Sequence, residues 1–134
     1  MAIDLATKWL QEAGNRLRVF EGWCLDLADE VGKWLWRQGI ESLLVYIEPT
    51  VGGGIPVVAH YSSGSRRWKF HAVLFADGLI HDAWLGEALD PKRYFATVFP
   101  GQELRVEYRG DDPRRDFERA ETWRNGKLVS VERQ

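Results

Sequence analysis

Residues 70–84 read FHAVLFADGLIHDAW, and this stretch decides the fold. Two apolar runs flank Asp77-Gly78, a pair typical of a type I′ turn because both of its central positions need a positive φ. A two-residue loop fixes the register of the strands that it joins. The stretch therefore predicts an antiparallel β-hairpin in which the facing side chains can be named.

The register predicts a polar pair on one face of this hairpin. If Ala76 pairs with Leu79, the alternation of side chains puts six residues on one face: His71, Val73, Phe75, Ile80, Asp82 and Trp84. His81 then points to the opposite face. His71 and Asp82 become diagonal neighbours, with backbones roughly 7–8 Å apart, a gap that an imidazole and a carboxylate can close. Such a pair can fix the tautomer of the imidazole.

Upstream of the hairpin, Cys24 opens an apolar helical pattern that continues through Val31 and Leu35 and stops at Gly39. A free thiol has a pKa of about 8.5, and a helix N-terminus or a nearby imidazolium can lower it by units. If this helix packs on the face that carries His71 and Asp82, a thiol, an imidazole and a carboxylate converge. That combination is what nucleophilic catalysis requires.

The rest of the chain predicts one α+β domain over residues 1–134, with helices packed on an antiparallel sheet. The periodicity predicts a helix over residues 3–13 and strands over 42–48, 55–61, 68–76, 79–84 and 103–108. Asp90-Pro91 predicts the start of a short helix, and Asn125-Gly126 predicts a second hairpin. Asp112-Pro113 is interpreted as the start of a helical turn that ends at Phe117.

Composition narrows the class of protein. The chain has 134 residues, of which 45% are hydrophobic, and a formal net charge of −2. No basic excess exists to bind nucleic acid. The longest apolar runs are about five residues, far below the roughly 20 that cross a membrane, and no secretory leader is recognised. A single cysteine excludes an internal disulfide, and we expect a cytoplasmic protein.

Three segments resemble the papain-like cysteine hydrolases in their small bacterial forms. They are Gly22-Trp23-Cys24 before an apolar helix, residues 70–73 on a strand, and residues 77–83. The family includes glutamine deamidase toxins and effector peptidases, and transglutaminase-like enzymes share the order Cys, His, Asp. The resemblance covers roughly residues 22–83. It implies a papain-like fold with Cys24 as nucleophile, His71 as general base and acid, and Asp82 as the residue that orients the imidazole.

The resemblance further implies a thiol-dependent amide hydrolase or acyl transferase that needs no cofactor and acts on a protein or peptide. Papain-type enzymes place a glutamine shortly before the nucleophile, whereas Gln11 and Asn15 do not have that spacing. Backbone N–H groups would then have to stabilise the oxyanion. The spacing of 11 residues between His71 and Asp82 suits the small deamidase-like and transglutaminase-like members.

Other interpretations of the same residues remain open. Gly22, Trp23 and Trp84 are candidates for lining a substrate cleft, although tryptophans are mostly core residues. A lone cysteine such as Cys24 is more often a buried small hydrophobe than a nucleophile. The alternative function is an inactive papain-like binding module, or an adaptor or immunity protein, that holds a protein partner. A metal site is not expected, because His71 and His81 point to opposite faces and no Cys-x-x-Cys spacing exists.

Overall fold

A computed structural model describes residues 24–51, 55–62, 64–82, 84–85, 87–110 and 117–133, with the side chains of residues 24–29 and 117 outside the description. The elements are α1 (Cys24–Arg37), β1 (Leu43–Pro49), β2 (Val57–Tyr61), β3 (Gly64–Trp68), β4 (His71–Ala76), β5 (Leu79–His81), α2 (Pro91–Val98), β6 (Glu103–Arg109), β7 (Phe117–Arg124) and β8 (Lys127–Arg133). Six strands form an antiparallel sheet in the order β5-β4-β1-β6-β7-β8, and β2 and β3 form a separate hairpin. The fold is α+β, as predicted.

The β4–β5 hairpin has the predicted turn and register. Asp77 and Gly78 have φ values of 56° and 75°, and Leu74 pairs with His81. The strand predicted to continue to Trp84 ends at His81 instead. Asp82 ends it, because its Oδ1 accepts the N–H of Trp84 at 2.9 Å and folds the chain into a turn. The predicted facing of His71 and Trp84 is therefore absent from the ladder.

Several local predictions are confirmed and others are corrected. Asp90 caps α2 by accepting the N–H of Arg93 at 3.1 Å, and the Asn125-Gly126 turn joins β7 to β8. The strand predicted over residues 68–76 is two strands in two different sheets. Phe117 begins β7 and does not end a helical turn. Residues 111–116 and the helix predicted over 3–13 lie outside the described residues.

The sheet is covered on both faces by different elements. On one face, Val31 and Leu35 of α1 pack against Leu44, Ala72 and Leu74. On the other face, the buried residues of α2 and β2 pack against the opposite side chains of β1, β4 and β6, which are Val45, Ile47, Val73, Leu104, Val106 and Tyr108. α1 therefore does not pack on the face that carries His71, which was the condition for the three groups to converge on one face. Both faces of β4 are apolar, and α1 takes the face that bears the smaller side chains.

Helix α1 runs in the same direction as β4. A Cβ added to Gly32 would lie 3.5 Å from Cδ1 of Leu74, and Trp36 lines an open cleft of about 430 Å³ together with Ala76. From Gly32 back to Cys24, the eight residues of α1 rise about 12 Å at 1.5 Å per residue. From Leu74 back to His71, the three residues of β4 span about 10 Å. The start of α1 and the start of β4 therefore lie toward the same end of the sheet. No helix of the described residues is long and apolar enough to span a membrane.

Candidate active site

His71 is the first residue of β4 and is buried, with 1% of its surface exposed. It pairs with Ile47 of β1, so its side chain lies on the face covered by α2 and the β2–β3 hairpin. The indole of Trp68 stacks on the imidazole with ring centroids 4.5 Å apart and an interplanar angle of 9°. The ring plane of His71 is therefore held by packing before any hydrogen bond is considered.

Asp82 lies against His71, as the hairpin predicted. The Nε2 atom of His71 is 3.1 Å from Oδ2 of Asp82, and Asp82 is 3% exposed. Asp82 does not reach His71 as part of a continued strand. It follows the last residue of β5 and starts a turn. The pair predicted from sequence is thus present, although the strand predicted to carry Asp82 is shorter.

Two tyrosines that the sequence did not single out complete the cluster. The hydroxyl of Tyr61 on β2 donates to Oδ2 of Asp82 at 2.7 Å and lies 3.4 Å from Nε2 of His71. The hydroxyl of Tyr94 on α2 donates to the same oxygen at 2.6 Å. Burial of both rings follows from the periodicity of β2 and α2, and a buried tyrosine needs a partner for its hydroxyl. Nothing local in the sequence identifies Asp82 as that partner.

The buried contacts set the charge state of the cluster. Burial by itself raises the pKa of Asp82, but attraction to His71 and hydrogen bonds from His71, Tyr94 and the Trp84 N–H outweigh it and hold the pKa below its usual value. The pKa of Tyr94 is raised well above its usual value by burial and by the charge of Asp82. Asp82 is therefore an anion at neutral pH, and Tyr94 remains a neutral hydrogen-bond donor.

The other predicted site residues are placed less completely. Cys24 begins α1, on the opposite face of the sheet from His71 but at the same end, and its side chain is outside the described residues. Gly22 and Trp23 also lie outside them. Trp84 is partly buried beside the cluster, with its ring 6.3 Å from that of Tyr61 and the Arg66 guanidinium 4.6 Å above it. It borders the cluster and does not face His71 across the hairpin.

The remaining histidines lie apart from the cluster. His81 is buried on the face opposite His71, as predicted, and its Nε2 is 3.2 Å from the carbonyl oxygen of Ala76. His60 is exposed, and its Nδ1 is 3.1 Å from the hydroxyl of Ser65. Within the described part of the chain, no three His, Cys, Asp or Glu residues are grouped closely enough to hold a metal ion.

The cluster can orient an imidazole and stabilise its protonated form. An ionised carboxylate only accepts hydrogen bonds, so its contact with Nε2 assigns the proton of a neutral His71 ring to Nε2. The other ring nitrogen, Nδ1, then carries the lone pair that can take a proton. Comparisons of the chain with protein-family models, with curated proteins and with solved structures each found no match.

Proposed function

We propose that this chain is a thiol-dependent amide hydrolase or acyl transferase of papain-like type, with Cys24 as nucleophile, His71 as base and acid, and Asp82 as the orienting carboxylate. The observation that carries the proposal is the buried contact between Nε2 of His71 and ionised Asp82. A carboxylate that holds one imidazole nitrogen leaves the other as a directed base. The reaction class is deamidation of a glutamine side chain or cleavage of a peptide bond in a protein or peptide.

The direction of α1 supports Cys24 as the partner of this base. α1 covers the opposite face of the sheet, so the thiol would meet His71 around the end of the sheet and not across a face. His71 is the first residue of β4, and the neighbouring strand β5 ends at His81, before the level of His71. The backbone N–H groups of the first turn of a helix also favour a thiolate and an oxyanion.

The proposed chemistry balances without a cofactor. Nδ1 of His71 takes the thiol proton, and the Cys24 sulfur attacks the substrate carbonyl carbon. The tetrahedral intermediate collapses as the imidazolium returns that proton to the departing amine or ammonia, which leaves a thioester. Water, or an amine in the case of transfer, then attacks the thioester and restores the thiol. Asp82 stabilises the imidazolium throughout and stays ionised.

A second candidate function is supported by the burial of the pair. His71 is 1% exposed and Asp82 is 3% exposed, and a buried hydrogen-bonded cluster can have the purely structural role of specifying one packed core. Under this alternative the scaffold is inactive and the chain binds a protein partner. The two functions differ in the reactivity of the thiol.

Alkylation of the thiol distinguishes the enzyme from the inactive binding module. Because the chain has a single cysteine, every alkylated thiol is that of Cys24. We expect wild-type protein to react rapidly with iodoacetamide at pH 6.5, where an unperturbed thiol with a pKa of about 8.5 is only about 1% thiolate. His71→Ala should slow the reaction about 10- to 100-fold, because the thiolate loses its imidazolium partner. Mass spectrometry over time gives the rate.

His81→Ala is the matched control, because it removes a buried imidazole from the adjacent strand on the other face. Circular dichroism checks that both variants remain folded, and His81→Ala should keep the wild-type alkylation rate. A slow thiol in the wild type contradicts the proposed enzyme and favours the binding module. If the alkylation rate fell in His81→Ala and not in His71→Ala, the base would be His81 and the proposed role of His71 would be wrong.

A further inference from the structure

Asp82 accepts hydrogen bonds from four different parts of the fold. Its Oδ2 receives the hydroxyl of Tyr94 at 2.6 Å, the hydroxyl of Tyr61 at 2.7 Å and Nε2 of His71 at 3.1 Å. Its Oδ1 receives the N–H of Trp84 at 2.9 Å. An ionised carboxylate has about four lone-pair sites. Four donors therefore surround Asp82, three of them on Oδ2 and one on Oδ1, and the charged form accepts from each of them.

Counting protons shows that the neutral form of Asp82 satisfies fewer hydrogen bonds in this arrangement than the ionised form. A proton on Oδ2 could be accepted only by a tyrosine hydroxyl oxygen or by Nε2 of an Nδ1–H imidazole, so the neutral form would lose a donor that the ionised form keeps. The same count fixes the imidazole: a carboxylate cannot donate, so the proton in its contact with His71 belongs to Nε2. The lone pair of the neutral ring is then on Nδ1.

The geometry points to Tyr61 and Tyr94 as positioning residues of the site: they keep Asp82 ionised and thereby hold His71 in its Nε2–H form with Nδ1 as the base. The link to Cys24 rests on the proposed function. The states of Asp82 and His71, in contrast, are measurable without any thiol chemistry. The two phenols come from β2 and α2, so the orientation of the imidazole depends on elements outside the β4–β5 hairpin.

Tyr94 gives the cleaner test of the two. Its hydroxyl contacts Asp82, whereas that of Tyr61 also lies 3.4 Å from the imidazole. The ring of Tyr94 is fully buried and packs edge-on against Phe95 and Phe99 at centroid distances of 5.3 and 6.0 Å. Tyr94→Phe therefore removes the hydroxyl and keeps the ring that fills the core.

The experiment combines carbon NMR of the aspartate carboxyl groups with nitrogen NMR of the histidine rings. Asp82→Asn assigns the Asp82 carboxyl signal, and His71→Ala assigns the His71 ring. We expect the wild-type ring in its Nε2–H form. In Tyr94→Phe the Asp82 titration midpoint should rise by about one pH unit, because one donor that favours the charged form is lost. Alkylation of Cys24 at pH 6.5 should fall about three- to tenfold.

Tyr108→Phe is the matched control, because Tyr108 is equally buried but packs against Phe75 on the same face, at a ring distance of 5.7 Å. It should leave the Asp82 midpoint and the alkylation rate unchanged. An Nδ1–H form of His71 in the wild type, or an unchanged Asp82 midpoint in Tyr94→Phe, overturns the inference even if Cys24 is reactive. A slow wild-type thiol with a shifted midpoint overturns the proposed function and the catalytic part of the inference, while the electrostatic role of Tyr94 stands.

Discussion

Asp82 accepts four buried hydrogen bonds, so its replacement leaves several donors without an acceptor at once. Asp82→Asn replaces one acceptor oxygen by an NH2 group, so the donors on that side lose their acceptor. Loss of one partner of a buried pair costs about 3 kcal/mol or more of unfolding free energy. We expect a decrease of that order at pH 7, measured by urea denaturation.

The same substitution predicts a pH dependence of stability. The pKa of Asp82 is lowered in the folded state, whereas in the unfolded chain an aspartate titrates near 3.9. The stability that Asp82 contributes is therefore present above about pH 4 and is lost as the pH falls through the lower folded pKa. The difference in unfolding free energy between wild type and Asp82→Asn should shrink between pH 5 and the acid limit of the folded state.

Glu87→Gln provides the control for this series. Glu87 is exposed, and its replacement should change the unfolding free energy by less than about 0.5 kcal/mol at pH 7. A difference between wild type and Asp82→Asn that stays constant down to pH 3 would contradict a stabilising ionised Asp82.

His71 and Asp82 were predictable as neighbours because the tight turn fixes the register of β4 and β5, although Asp82 reaches the imidazole from the turn after β5. The Asp77-Gly78 turn fixes which side chains share a face, and that argument needs no long-range information. Tyr61 and Tyr94 were not predictable as partners of Asp82, since their hydroxyls reach it only once β2 and α2 have packed on the sheet. The local half of the cluster could be read from the sequence, and the long-range half could not.

At the level of elements, the turn between β7 and β8 packs closely on α2. Gly126 has a φ of 75°, and a Cβ added to it would lie 2.8 Å from Cβ and 2.9 Å from Cα of Ala96. Gly126→Ala combines backbone strain with this overlap, and we expect a loss of about 2–4 kcal/mol of unfolding free energy. Chemical denaturation followed by tryptophan fluorescence measures it.

Gly101→Ala separates the two causes. Gly101 has a similar φ of 71°, but a Cβ there would meet nothing within 4 Å, so only the strain of about 1–2 kcal/mol applies. Equal losses in the two variants would show that the contact with Ala96 contributes nothing.

The β2–β3 hairpin is fastened to the turn before β6 by one side chain. Gln102 donates from Nε2 to the carbonyl of Val58 at 2.7 Å and accepts the N–H of Val58 at 2.9 Å. Gln102→Ala removes both bonds and should speed hydrogen exchange of the Val58 amide about tenfold, which corresponds to about 1.4 kcal/mol. Exchange measured by NMR tests this prediction.

Gln38→Ala is the comparison for that measurement, because Gln38 is exposed in the turn after α1. It should leave the exchange of Val58 unchanged. Wild-type exchange at Val58 in Gln102→Ala would mean that packing alone holds the hairpin.

At the level of the whole molecule, the placement of α1 is the main feature that the sequence did not determine. The helical pattern from Cys24 and the alternation of β4 each define an apolar surface, but β4 is buried on both faces. The pattern of β4 therefore cannot say which face receives which helix. The split of residues 68–76 between two sheets has the same origin, because Trp68 packs on His71 and Phe70 packs on Tyr46 only in the folded protein.

The β2–β3 hairpin forms a sheet of its own and covers the buried pair of His71 and Asp82. In the described part of the chain, the hydrogen bonds that join this hairpin to the rest involve the side chains of Gln102, Tyr61 and their partners, and not a backbone ladder. If this hairpin moved away from the six-stranded sheet, the imidazole of His71 would become exposed while the backbone hydrogen bonds of that sheet stayed intact. Entry to the buried pair would then need only a local opening, with a smaller free-energy cost than global unfolding.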